Sequence, residues 1–168
     1  KVFEQYALRQ CNQLYPVPHG AFSDTEMLQH ASTVAKFSFD YSFQTGAALG
    51  KRTGKKYEFM LGTFNKVVPM QAYALHYGAA REKYLSPPND LNHYDTAHAE
   101  TELLIEAQKQ QVPLQDTTLF INLLPCPACA RMLSETAIEE LVYSVDHSDG
   151  YAIKMLEAAG KKVRRVVL

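Results

Sequence analysis

The sequence predicts an α/β protein: a three-layer α-β-α sandwich whose mixed sheet of about five strands opens with a hairpin and continues with parallel strands. Three observations carry that expectation. Two strand-like runs, Thr45–Lys51 and Tyr57–Asn65, flank the solvated, glycine-containing turn Arg52-Thr-Gly-Lys-Lys56, which is the pattern of a β-hairpin. Beyond residue 95, strand-like and helix-like segments alternate, and alternation implies crossover connections and parallel pairing. No internal repeat or low-complexity linker divides the 168 residues, so residues 1–168 form one domain.

Each element has a local reason. Residues 1–22 read as a helical extension, with Val2, Phe3, Tyr6, Ala7, Leu8, Cys11 and Leu14 near helical spacing before Tyr15-Pro-Val-Pro-His-Gly20 breaks the run. Ser23 or Asp24 can cap a second helix carrying Met27, Leu28, Ala31, Val34 and Ala35, which fades near Phe39. Gly62 in the second hairpin strand marks a bulge or a close backbone approach. Residues 66–95 read as an insertion-like segment: Val67–Lys83 has helical character, and Ser86-Pro-Pro-Asn-Asp90 continues as a loop to Asp95. Asp95 or Thr96 offers an N-cap for a helix from Ala97 to about Gln110, ahead of Pro113. Thr117–Leu124 is apolar on both faces, as a central strand is. A helix follows from Cys126 to about Glu135 with Pro127 at an early position, then a strand over Leu141–Asp146. The last elements are a helix over Ser148–Ala159, Gly160 as its C-terminal glycine, and a solvated edge strand over Lys162–Leu168.

Composition narrows the partners. A formal charge of −1 supplies no global basic field, so a nucleic-acid ligand is not favoured, although a local basic groove stays open. No run of 18 or more apolar residues is present, so no membrane span is expected. The first ten residues lack the apolar stretch of a secretory signal. Three cysteines, two of them in a C-x-x-C, are poor material for a disulfide framework, and a reducing cytoplasm fits best.

Chemistry concentrates in two short motifs, His98-Ala99-Glu100 and Pro125-Cys126-Pro127-Ala128-Cys129. An imidazole and two thiolates fill three of the four tetrahedral positions of a zinc ion and leave one open, so one catalytic Zn2+ per chain is expected on His98, Cys126 and Cys129. Glu100 is placed for general acid–base work rather than ligation. H-x-E with P-C-x-x-C is the pattern of zinc-dependent nucleobase deaminases. Both motifs fall at expected helix N-termini, where backbone N–H groups and the helix dipole favour thiolate. A C-x-x-C opening a helix is also the arrangement of a redox dithiol, and a structural zinc would need a fourth protein ligand. The remaining alternative is a zinc-stabilised binding module without catalysis.

With those residues in view, the chain resembles the cytidine and deoxycytidylate deaminase superfamily, and within it the deoxycytidylate branch. The resemblance runs from about Thr25 to the C-terminus and also rests on Gly62-Thr-Phe-Asn65, Leu141-Val-Tyr-Ser-Val-Asp-His-Ser-Asp149 and Met155-Leu-Glu-Ala-Ala-Gly160. A histidine as first ligand sets it apart from the small free-cytidine deaminases. A helix between the last two strands matches the parallel-sheet subgroup. The resemblance implies a cytidine-deaminase-like fold and hydrolytic deamination of a cytosine nucleotide or nucleoside. It implies a base and sugar contact at Asn65, backbone contacts to the base at Ala99 and Pro125, and a pocket cap at His147, Ser148 and Tyr151. A homo-oligomer is implied as well. The alternatives are a base within tRNA or single-stranded DNA, or a free purine such as guanine.

Overall fold

The computed structural model describes residues 15–40, 43–68 and 96–168, together with Val2, Gln5 and Arg9. Its elements are β1 (Ala21–Phe22), α1 (Asp24–Ala35), β2 (Gly46–Thr53), β3 (Lys56–Phe64), β4 (Lys66–Val67), β5 (Thr96–Ala97), α2 (Ala99–Lys109), β6 (Thr117–Leu123), α3 (Pro127–Ser134), β7 (Glu140–Val145), α4 (Tyr151–Ala158) and β8 (Lys162–Arg165). The strands form a six-stranded mixed sheet in the order β1-β3-β2-β6-β7-β8, and β4 and β5 make a separate two-stranded ladder. The sixth strand, absent from the sequence expectation, is β1. Its two residues pair with Glu58 and Tyr57, and a run that short shows no alternation to read. Parallel pairing is confined to β6, β7 and β8, because β2 meets β6 antiparallel.

Helices cover both faces of the sheet. On one side α1 buries Met27, Leu28 and Ala31 against Ala48, Tyr57, Phe59, Phe120 and Val142. On the other, Leu103 of α2, Leu133 of α3 and Leu156 of α4 pack over Leu49, Leu61, Leu119, Ile121, Leu141 and Tyr143. The central strand β6 therefore sends Leu119 and Ile121 one way and Phe120 the other, as a strand buried on both faces must. In β3 the register jumps, with Leu49 opposite Leu61 and Gly50 opposite Phe59. That bulge turns Leu61 to the face opposite Phe59, although the two are two residues apart. Gly62 follows directly, where a Cβ would lie 3.2 Å from Val34 of α1, the close approach its position implied.

Local chemistry sets the ends. Ser23 and Glu26 form a capping box at the start of α1. The hairpin turns at Gly54, with φ of +65°, between the paired Thr53 and Lys56. Thr96 and Ala97, expected to begin α2, instead pair with Val67 and Lys66, and His98 becomes the N-cap. Ser148, Asp149 and Gly150 all have positive φ, so α4 begins only at Tyr151 rather than at Ser148. The helix expected over Val67–Lys83 and the loop to Asp95 lie outside the described residues, except that Val67 belongs to β4. Most of the N-terminal helix expected before Tyr15, including Cys11, lies outside them too. No helix among the described residues is long and apolar enough to cross a membrane.

Candidate active site

The two motifs meet where β6 runs out into α3 and where β5 runs into α2. His98 has extended backbone, φ −65° and ψ 155°, and caps α2. Cys126 does the same for α3, φ −66° and ψ 164°, and its Sγ accepts the Cys129 N–H. Pro127 follows at the first helical position, where its missing N–H costs nothing. Thr63, buried at the end of β3, donates from Oγ1 to Ala99 O at 2.8 Å and pins the first residue of α2 to the sheet. In the β4–β5 ladder Lys66, the residue after Asn65, pairs with Ala97, the residue before His98.

This folding brings His98 Nδ1 to 3.5 Å from Cys126 Sγ and 3.3 Å from Cys129 Sγ. All three ligand atoms lie within 4.8 Å of one another. A tetrahedral zinc, with Zn–S of about 2.3 Å and Zn–N of about 2.0–2.1 Å, holds sulfur and nitrogen ligands about 3.5 Å apart. The donor set therefore fits zinc in kind and in spacing. Its protonation fits as well. The Cys129 thiol donates to Cys126 and, with further hydrogen bonds from His98 and the Cys129 N–H, holds the Cys126 thiol down at about 4. The same bond and burial push Cys129 upward, so the pair shares one proton that a divalent cation would displace. The hydrogen bond to Cys126 raises His98 against its own burial, and the charges of Glu100 and Asp40 add to that rise.

Glu100 is 3% exposed, one residue inside α2. Burial pushes its carboxyl up to about 7, opposed by its own backbone N–H and the His98 charge. A carboxyl poised there can hold or release a proton near neutral pH.

The other expected site residues are placed less uniformly. Ala99 and Pro125 are buried at the starts of α2 and of the turn into α3. Asn65 is 4% exposed, and its amide is engaged by the protein: Oδ1 accepts Thr45 N–H at 2.9 Å, and Nδ2 donates to Phe43 O at 2.7 Å and Asp40 Oδ2 at 3.3 Å. His147 and Ser148 follow the end of β7 in a half-buried turn. Tyr151 opens α4, its ring 5.4 Å from the Arg131 guanidinium of α3. Sequence reasoning passed over Thr63, although it stands inside the quoted Gly62-Thr-Phe-Asn65. It also passed over Asn122, whose only signal was a polar side chain within the apolar run Leu119-Phe-Ile-Asn-Leu-Leu124.

A family model for MafB19-like deaminases matches residues 66–166, more than half of the chain and both motifs. The chain belongs to the MafB19-like deaminase family. Among relatives, it is 32% identical over 85 residues to a probable deoxycytidylate deaminase of Caenorhabditis elegans, covering 48% of this chain and 42% of that protein. It is 38% identical over 69 residues to deoxycytidylate deaminase of Saccharomyces cerevisiae, covering 40% of this chain and 22% of that protein. The matches thus span less than half the length of either relative. Among solved structures, dCMP deaminase from the cyanophage S-TIM5, in complex with dCMP and dUMP, superposes with a TM-score of 0.67 at 18% identity, covering 84% of this chain and 95% of that one. At that identity the likeness shows a shared fold.

Proposed function

We propose that this member of the family catalyses the hydrolytic deamination of a cytosine nucleotide or nucleoside, dCMP-like, to the uracil product with release of ammonia. The observation that carries the reading is the convergence of His98, Cys126 and Cys129 at zinc-ligand spacing beside the buried Glu100. The deoxycytidylate deaminases among its relatives support the choice of base. A zinc ion held by the three side chains would supply the positive charge that activates a water molecule near neutral pH. Glu100 accepts one proton from the attacking water and gives it to the ring nitrogen, where it stays. It then takes the second water proton from the new C–O–H group and gives it to the amine, so that the carbonyl forms, the C–N bond breaks and ammonia departs. Ala99 and Pro125, fixed at two helix starts, offer backbone groups to the base edge. His147, Ser148 and Tyr151 cap the pocket, and Asn65 is its contact to the base and sugar. A homo-oligomer working in the cytoplasm belongs to the same reading.

The deciding experiment measures ammonia release by zinc-loaded protein on cytidine, deoxycytidine, their monophosphates, guanine, adenosine and a single-stranded oligonucleotide. Turnover of the cytosine monophosphates or nucleosides is the expected result. Activity on the oligonucleotide or guanine alone would overturn the substrate assignment, and release from none of them would overturn the deaminase reading.

A further inference from the structure

Residues Phe43–Gly46 lead from the loop after α1 into β2, and two asparagines on flanking strands take their backbone groups in turn. Asn65, beyond the end of β3, holds Phe43 O through Nδ2 and Thr45 N–H through Oδ1. Asn122, on β6, donates from Nδ2 to Gln44 O at 3.0 Å and accepts Gly46 N–H at Oδ1 at 2.9 Å. The β2–β6 ladder ends at Ala47 opposite Ile121. At the next position the amide of Asn122 replaces the backbone bonds of that ladder. The start of β2 is thus held a side chain's length from β6, where β6 turns toward Pro125 and Cys126.

The rest of the loop hangs from this clamp. Gln44 Nε2 donates to Ser38 O at 2.9 Å, Ser38 Oγ donates to Asn65 O at 2.7 Å, and the Asp40 N–H donates to Ser38 Oγ at 3.1 Å. Gly46 closes the third side, since a Cβ there would overlap Ala31 O and sit 2.6 Å from Ala35 N of α1. The loop lies beside the metal ligands, because Asn65, which holds it, sits between Thr63, whose hydroxyl bonds Ala99 O, and Lys66, which pairs with Ala97, so both chain neighbours of His98 are tied to this stretch. An amide is the group this geometry needs, with a donor and an acceptor side by side. A carboxylate of the same shape would set an acceptor against Gln44 O.

We infer that Asn122 is a positioning residue for the proposed reaction: together with Asn65 it clamps Phe43–Gly46, so that this segment, with Ser38 and Asp40 bonded to it, forms a fixed wall of the substrate pocket beside His98. This rests on the deaminase reading of that site. Asn122 acts through the wall and touches no reacting atom.

Hydrogen–deuterium exchange and steady-state kinetics on the zinc-loaded full chain test it, with Asn122→Ala and the isosteric Asn122→Asp. The expected result is faster exchange across residues 38–40 and 43–46 in both variants, with α2, α3 and zinc content unchanged. KM should rise about tenfold while kcat stays within about threefold. Unchanged exchange at 43–46 would overturn the clamp. Faster exchange with unchanged KM would overturn the positioning role, as would an Asn122→Asp protein that behaves as wild type. Should Asn122→Ala fail to fold, Asn122→Asp keeps the packing and carries both measurements. If wild type deaminates nothing, the reading of the site falls on its own, and the exchange data still judge the clamp.

Discussion

Replacing Glu100 with glutamine changes one oxygen to a nitrogen in a side chain that is 3% exposed, so the packing around it is preserved. What disappears is the buried carboxyl two residues beyond His98, next to the proposed zinc-ligand trio. Positioned general acid–base groups contribute roughly 10²–10⁴-fold, so kcat should fall by that factor, or about 3–5 kcal/mol of transition-state stabilisation. Stability should move the other way or not at all, because a neutral amide removes the cost of burying a carboxylate that burial already pushes up to about 7. The assay pairs ammonia release with zinc content and a thermal melt on the same sample. A variant that keeps its zinc and turns over within tenfold of wild type would refute the assignment of Glu100 as the proton carrier.

Two further substitutions probe the scaffold. Thr63→Val removes the 2.8 Å bond to Ala99 O, a carbonyl that keeps its intrahelical partner, and should destabilise by about 0.5–1.5 kcal/mol and lower kcat as the start of α2 loosens; a melt and a kcat that both match wild type would contradict it. Glu140 sits 6% exposed under Arg164 Nε at 2.6 Å and Arg52 at 3.2 Å; burial opposes ionisation, yet the Arg164 bond and charge, Thr118 and Arg52 outweigh it and hold the carboxyl below its ordinary 4.5. A depressed carboxyl contributes stability above its unfolded value and loses it as pH falls through the folded one. Chemical denaturation should therefore show wild type well ahead of Glu140→Gln at pH 7, with the gap closing below about pH 4.5, whereas a gap independent of pH would contradict it.

Much of this architecture could be read before any coordinates, for local reasons. Ser23 and Glu26 form a capping box on neighbouring turns, Gly54 supplies a hairpin φ, and Cys126 with Pro127 opens a helix. The meeting of His98, Cys126 and Cys129 was legible because each half lies within a few residues of a helix start. What escaped notice depends on register and on partners distant in sequence. Asn122 meets Gly46 across 76 residues, so its polarity had no visible purpose within an apolar strand. Thr63 meets Ala99 across 36 residues, and β1 is too short to announce itself. Ser148 and Asp149 adopt left-handed backbone that their residue types do not demand, which hid the late start of α4. Asn65 was expected to contact substrate, and the engagement of its amide by Phe43 and Thr45 follows only from the loop that α1 delivers.

The central claim is that His98, Cys126 and Cys129 together hold one metal ion. Elemental analysis of the purified chain with zinc-edge X-ray absorption tests it directly. The account predicts about one zinc per chain, bound by two sulfurs and one imidazole, and lost together with activity in Cys129→Ala. Substoichiometric zinc after loading, or a metal environment that Cys129→Ala leaves unchanged, would contradict it.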